Sequence, residues 1–370
     1  MGAVIRRAPD LRLPLLGWLV GLALLAACGS ASPAAPAASE NSPTASRPAV
    51  ASAGASASAP TRGGASATAA ISGSISLKSA YSAITASQLP IYVAKDLGLF
   101  EKHGLKVDLT YISSSSNMSA AMLSGELPIT SQGQDGVIAA DLHGADLVIV
   151  AVESDRVLQS LYAQPSITSL AQLKGKKLGI TRLGSVTDFV AQHELSRVGL
   201  VAGKDVTLVQ VGGIPDIFTA LQAKAIDAGL MSPPTKYLAE KAGFRDLADI
   251  SKENVPYYGS AITVRRSWLA ANRPVAVRYL QAFHEAAQVI HQQPAKAGDV
   301  LAKYTKESDR SLVDRSVSEA LPTLPIDQLP KTDAIKIGLD QAAVSNPKAK
   351  QASPEQFIDP SVIQEVQKSA

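Results

Sequence analysis

Thr181-Arg182-Leu183-Gly184-Ser185-Val186-Thr187-Asp188 links a short apolar run to a helical pattern, with its hydroxyls placed where the helix would begin. The first turn of a helix holds backbone N–H groups without intrahelical partners, and the helix dipole adds positive potential there. Such a turn suits a sulfonate, a carboxylate or nitrate. Ser185 and Thr187 would add hydroxyl donors, and Arg182 a charge-assisted fork. The alternative is plain capping, with Ser185 satisfying its own helix, Arg182 facing solvent and Asp188 complementing the dipole. Facing candidates come from other strand ends, where 82–85, 113–117 and 132–135 are rich in Ser, Thr and Gln. Ser82, Thr85, Ser114 and Gln134 are expected to orient a polar solute, and Ser232 closes a further strand end. Turn or loop chemistry alone would also account for the serines at 113–116, for Gly212-Gly213 and for Ser232-Pro233. Tyr81, Tyr111 and Tyr258 are either aromatic walls or packing.

Little in the residues supports catalysis. The five histidines, His103, His143, His193, His284 and His291, are scattered, and none has the i, i+4 spacing that sets two metal ligands on one helix face. Gly184-Ser185 lacks the second glycine of a nucleophile elbow, and no glycine-rich phosphate loop occurs. Neither a metal, a cofactor nor an enzymatic activity is expected. Of the 370 residues 18% are charged, the net charge is +3 and the lysines are interspersed with acids, so no basic stripe for nucleic acid forms. Cys28 is the single cysteine, which excludes an intramolecular disulfide and a thiolate zinc cluster.

The elements that would carry these residues follow a strand-helix rhythm. Ile75 and Leu77 begin a strand; Leu89, Tyr92, Val93, Leu97 and Phe100 recur at helical spacing; Val107, Leu109 and Tyr111 alternate as a strand. The serines 113–116 offer N-caps to a helix holding Ala120, Ala121 and Leu123. A strand near Ile129, a helix over 137–142 and an apolar strand over 147–152 complete one unit. A second unit repeats the rhythm, with strands at 177–180, 206–211 and 226–231 and helices at 186–198 and 217–223. A return strand spans 258–264, and from Pro274 the chain turns helical. Strands alternating with helices imply a mostly parallel sheet in each unit, hence an α/β protein of two lobes with a ligand cleft between them.

The N-terminus carries a different message. Arg6, Arg7 and Arg12 precede an apolar run, 15–27, that is shorter than the roughly 18 residues a membrane span needs. Leu25-Ala26-Ala27-Cys28 resembles a bacterial lipobox, which implies a signal peptide over 1–27 and a lipidated Cys28. The Ala/Ser/Pro-rich stretch that follows, to residue 73, lacks the apolar surface to offset its ordering entropy and is expected to be a disordered tether.

Ile91-Tyr92-Val93-Ala94-Lys95-Asp96-Leu97-Gly98-Leu99-Phe100-Glu101-Lys102-His103-Gly104-Leu105 resembles the N-terminal signature of ABC transporter solute-binding proteins of the nitrate/sulfonate/taurine type, whose fold thiamine-pyrimidine-precursor binders share. Leu123-Ser124-Gly125-Glu126, Leu173-Lys174-Gly175-Lys176-Lys177-Leu178-Gly179, Gly184-Ser185 and Ala225-Ile226-Asp227-Ala228 extend the likeness. The resemblance implies a type II periplasmic-binding fold, with lobe 1 formed by 74–164 and 256–370 and lobe 2 by 165–255, the chain crossing near Pro165 and Pro256. It further implies a small anionic or polar solute, an ABC permease as partner, an extracytoplasmic, membrane-anchored location, a monomer and no nucleic acid. A thiamine-pyrimidine-precursor binder and a sensory subunit are the alternatives. The enzyme branch of this fold carries a cysteine-rich motif, which this chain lacks after Cys28.

Overall fold

The computed structural model describes residues 74–369. The expected signal peptide, Cys28 and the expected tether lie outside the described residues. The first lobe opens with β1 (Ile75–Tyr81), α1 (Leu89–Asp96), α2 (Leu99–Lys102), β2 (Leu105–Tyr111), α3 (Ser115–Leu123), β3 (Ile129–Gln132), α4 (Gln134–Asp141) and β4 (Leu147–Arg156). Gly98 stops α1 by taking a left-handed conformation, φ 69°, that a β-carbon would disfavour. The chain then enters a second sheet with β5 (Ser160–Ala163), β6 (Lys177–Ile180), α5 (Val186–Ser196), β7 (Thr207–Gln210), α6 (Ile214–Gln222), β8 (Ala228–Met231), α7 (Thr235–Lys241) and β9 (Arg245–Asp249). It returns through β10 (Pro256–Arg265) and finishes with α8 (Arg266–Gln292), α9 (Pro294–Thr305), α10 (Arg310–Ala320), α11 (Thr332–Ala342) and α12 (Ser361–Ser369).

Both sheets have five strands and the same plan. The first is ordered β2-β1-β3-β10-β4 and the second β7-β6-β8-β5-β9. β1 runs parallel to β2, with Ile75 opposite Leu105 and Tyr81 opposite Tyr111. β10 is antiparallel to both neighbours, and β5 likewise in its own sheet. Four of the five strands in each sheet therefore point one way, the mostly parallel arrangement expected, with one strand reversed because the chain changes sheet there. Helices cover both faces of the first sheet. Tyr92, Phe100, Tyr279 and Phe283 pack on one side, and Met118, Met122, Ile335 and Phe357 on the other. Leu161, Leu178, Ile180 and Leu230 form the core of the second lobe. Each such fully buried large side chain contributes about 1.5–3 kcal/mol.

Some local readings differ from the structure. β5 and β9 were not foreseen: β5 has only four residues, and β9, Arg-Asp-Leu-Ala-Asp, has a charged edge sequence. Because β5 already belongs to the second sheet, the first passage lies between Arg156 and Ser160, ahead of Pro165, while the return strand begins at Pro256. A short helical segment, 266–271, precedes the helix expected from Pro274, and α8 spans both. Asn272 leaves helical geometry at φ −129° and kinks it, which accommodates Pro274.

Candidate functional site

Loops at the carboxyl ends of the strands of both sheets meet around one cavity. From the first lobe come Ser82 and Thr85 beyond β1, Ser87, Tyr111 at the end of β2, and Ser114 and Ser115 at the start of α3. From the second come Thr181 after β6, Ser185 to Thr187 at the start of α5, Ile214 at the start of α6, and Ser232 after β8. Arg156 and the connector 157–159 line it as well. Alternating strands and helices force this arrangement, since each strand end leads into a helix whose free N–H groups face the crevice. Residues of both sheets line it. The cavity between them is narrow, with a volume of about 40 Å³.

On the second-lobe wall the hydroxyls of Thr181, Ser185 and Thr187 form a triangle with edges of 2.9, 2.8 and 2.9 Å. Ser185 Oγ donates to the Arg182 carbonyl at 2.6 Å, and the Thr181 N–H donates to Thr187 Oγ1 at 2.8 Å. With the Ser185 proton engaged, two protons remain for three edges, so one hydroxyl can turn its proton to a solute without leaving the triangle unbonded. Ser185 makes no side-chain capping bond to α5, so plain capping does not describe it. Across the cleft, Ser114 Oγ accepts from the Asn117 N–H at 3.5 Å, and Ser114 itself sits at φ 72°. A non-glycine residue held in that region marks stored backbone strain of the kind found at ligand sites.

Three buried polar atoms in the wall have no protein partner: Thr85 Oγ1, Gln159 Oε1 and Ser232 Oγ. Buried polar atoms are nearly always paired, so these three point to a solute or water that completes them. The one charged lining residue, Arg156, is engaged elsewhere, donating to Asp155 at 3.1 Å, to Asn254 at 2.9 Å and to the Pro322 carbonyl. The lining therefore presents helix N-termini and hydroxyls, without a free countercharge.

Of the residues singled out in the sequence, Ser82, Thr85, Ser114, Ser185, Thr187 and Ser232 are brought together here. Two are not. Gln134 is fully buried behind the wall, where its amide donates to the Ala334 carbonyl at 2.7 Å and accepts from the Tyr258 N–H at 3.1 Å. It joins β10 to α11. Arg182 is exposed and outside the cavity lining, while its carbonyl anchors Ser185. Tyr111 lines the cleft and Tyr81 packs against it at 5.5 Å, whereas the hydroxyl of Tyr258 donates to the Lys331 carbonyl. Sequence reasoning missed Gln159 and Ser87. Gln159 lies in a three-residue connector between strands of different sheets, a position with no local signature.

Behind the wall lie acidic groups that the pattern did not suggest. Glu153 accepts from the Ile91 N–H at 2.9 Å and from the Ser131 hydroxyl, and burial pushes its carboxyl up to about 8 against those two bonds. Ser131 continues to Gln88 at 2.7 Å, and Gln88 to Ser260 at 2.9 Å, so a buried polar chain backs the cleft residues Ser82 and Ser87. Asp135, at the start of α4, and Asp188, near the start of α5, approach one another from opposite lobes. Burial, with a smaller push from Asp188, raises the Asp135 carboxyl to about 7. Elsewhere His193, Glu194 and Glu253 draw within 4.8 Å of one another. Arg197 donates to both glutamates there, so a guanidinium fills the position a metal cation would take. No helix among the described residues is long and apolar enough to cross a membrane.

The family model described as NMT1/THI5 like matches residues 85–297, more than half of the chain. A protein of Brachyspira hyodysenteriae named "Putative ABC transporter periplasmic binding protein" is 25% identical over 275 residues, covering 69% of this chain and 78% of its own. Among solved structures, the alkanesulfonate-binding protein SsuA of Xanthomonas axonopodis pv. citri, bound to MOPS, aligns with a TM-score of 0.65 at 18% identity, over 79% of this chain and 98% of that one. The periplasmic nitrate-binding protein NrtA of Synechocystis PCC 6803 aligns with a TM-score of 0.65 at 13% identity, over 80% and 89%. At these identities the two structures share the fold.

Proposed function

The chain belongs to the NMT1/THI5-like family, and from that premise we propose that it is an extracytoplasmic solute-binding lipoprotein that captures a small anionic or polar solute and delivers it to an ABC permease. The observation that carries the reading is the cleft itself: hydroxyls and three helix N-termini from both lobes converge on one cavity with unpaired polar atoms in its wall. Sulfonates, taurine and nitrate have the size and the acceptor oxygens for such a wall. The relatives' printed names, an ABC transporter periplasmic binding protein, a sulfonate binder and a nitrate binder, support the same class.

Closure is the mechanism. A solute held by Ser185 and Thr187 on one lobe and by Ser82, Thr85 and Ser114 on the other touches both only when they are shut, so it shifts the open-closed equilibrium by its difference in affinity. The permease would read the closed shape. Capture and release need no bond chemistry, and we assign no catalytic residue. Lipidation of Cys28 would anchor the protein, with 29–73 as a tether that lets a monomer reach the permease. Loss of lipid label in Cys28→Ala tests the anchor.

A thiamine-pyrimidine precursor is the second reading, favoured by the Tyr111 ring in the wall backed by Tyr81. Thermal unfolding of the full chain against sulfonates, taurine, nitrate and pyrimidine precursors separates the two. A solute at a thousand times its dissociation constant adds about 4 kcal/mol, several degrees in melting temperature. Compaction in solution scattering on adding that solute is expected; an unchanged profile at saturation counts against closure.

A further inference from the structure

We propose that Asp135 and Asp188 form a proton site on the seam between the lobes, and that shutting the lobes takes up one proton there. The proposal rests on the closure that the solute-binding reading requires and adds a pH dependence to it.

Asp135 lies in the first turn of α4, beyond β3 of the first lobe, and Asp188 in the first turn of α5, beyond β6 of the second. The two helix starts meet beside the cleft: a Cβ on Gly133 would lie 2.4 Å from Asp135 Oδ1 and 2.5 Å from Val186 Cγ2. Asp188 Oδ2 accepts from the Gly184 N–H at 2.8 Å, but its Oδ1 is buried without a partner. Both oxygens of Asp135 are buried without partners as well. Three carboxyl oxygens from opposite lobes are thus cut off from water with no donor to meet them. Two carboxylates brought together in this way do not both stay ionised, and one proton held by the pair relieves them.

No cation takes the place of that proton. The cavity along the seam has no lysine or arginine in its lining. His143, beyond the end of α4, is exposed and donates to the Ala139 carbonyl at 2.8 Å. On α5, His193 pairs with Glu253 and Glu194 with Arg197. α3 has no titratable side chain, and the charged residues of α11, Asp333, Lys336 and Asp340, are exposed. On β4, Glu153 is held by Ile91 and Ser131, and Asp155 pairs with Arg156. From β10 comes Tyr257, stacked on Phe189 at 3.9 Å; burial, then Asp135 and Asp188, raise its hydroxyl well above the ordinary value, so it stays neutral.

Parting the lobes returns both carboxyls to water, where they ionise in the ordinary range of about 4. Shut, Asp135 holds its proton to about pH 7, chiefly through burial. Between those two values closure weakens with rising pH, by up to about tenfold per pH unit, and above about 7 the dependence levels off because the seam is ionised in both states.

The test reads closure with no solute present. The full chain with Cys28→Ala, Val201→Cys and Val344→Cys, the last two exposed and in opposite lobes, carries a donor and an acceptor dye. Energy transfer between the lobes is expected to change as pH rises from about 5 to about 7 and to level off beyond, as the lobes part. Asp135→Asn cannot ionise and keeps the low-pH signal throughout, whereas Asp188→Asn removes the like charge and moves the midpoint to lower pH. Asp141→Asn leaves the native profile unchanged, because that carboxyl, also raised to about 7, lies within the first lobe alone. A flat native profile, or the native change persisting in Asp135→Asn, overturns the proposal; should Asp135→Asn not fold, an unmoved midpoint in Asp188→Asn overturns it instead. Adding ethanesulfonate, taurine, nitrate or a pyrimidine precursor keeps the two readings apart. A signal that answers a solute but ignores pH overturns the proton site and leaves solute capture standing, and one that follows pH but ignores every solute does the reverse.

Discussion

Gly133 of the first lobe leaves no room for a methyl group against Val186 of the second: a Cβ built on Gly133 would lie 2.5 Å from Val186 Cγ2, and within its own lobe 2.4 Å from Asp135 Oδ1 and 3.0 Å from Ser115 Oγ. The backbone of Gly133, φ −69°, is one any residue adopts, so space alone demands glycine. Val186 moves away when the lobes part. Gly133→Ala is therefore expected to disfavour closure, weakening solute binding about tenfold or more beyond the cost, about 1–3 kcal/mol, that the methyl adds against Asp135 and Ser115 in the unliganded protein. Calorimetry paired with urea unfolding checks it; equal losses in both would place the clash inside one lobe.

Ser185 and Arg182 lie three residues apart and are expected to behave differently. Ser185→Ala opens the hydroxyl triangle and removes a group lining the cleft, with a loss of about 5–100-fold in affinity, the range of one buried hydrogen bond. Arg182→Ala removes an exposed side chain while keeping the carbonyl that receives Ser185, and affinity stays within about threefold. Titration of both variants with the same solute decides between the wall described here and a charge-driven site.

Glu153 predicts a falling stability with rising pH. Its folded-state value, pushed by burial from 4.5 to about 8, lies above that of the unfolded chain, so its contribution is full below pH 4.5 and is lost as pH rises through 8. Asp135 and Asp141, both raised to about 7 mainly by burial, act with the same sign between about pH 4 and 7. The melting temperature is expected to drop between pH 5 and 8.5. Glu153→Gln keeps an oxygen for the Ile91 N–H and flattens the drop, whereas Glu153→Leu strands that donor and costs about 1–3 kcal/mol at any pH.

The C-terminal helices do more than pack. α10 rests on the first-lobe core through Val313 and Val317, and from there Glu319 accepts from Lys236 Nζ and from the Tyr237 hydroxyl of the second lobe. Arg315 covers the Tyr237 ring at 3.9 Å and pairs with Glu240 at 2.9 Å, and Lys241 meets Asp309 at 3.0 Å. Glu319→Gln is expected to loosen this clasp, raising the radius of gyration without solute and lowering affinity a few-fold. Lys236→Met leaves Glu319 and Asp249 without their buried cation and should cost about 1–3 kcal/mol. That is less than for a fully buried pair, because Glu319 is about a quarter exposed.

Short-range physics made much of this protein readable as a string of residues. The switch between periods of two and 3.6 marks most strands and helices of both lobes, and hydroxyls at strand ends mark six residues of the cleft, because each signal lies within one turn or one strand. Ser114 and Gln134 obey the same grammar, yet one lines the cleft and the other bonds Ala334, two hundred residues on. Which of them faces the cavity depends on how α11 packs, and no local pattern carries that. The same holds for Arg156, whose charge is taken up by Asp155, Asn254 and the Pro322 carbonyl. It holds for Glu153, whose ionisation is set by burial, and for β9, a charged strand that forms only beside β5. Gln159 is a further case: tertiary packing leaves its side-chain oxygen buried without a protein partner. Local sequence determined the elements and the chemistry available at their ends; partners distant in the chain decided which groups are satisfied and which remain free to bind.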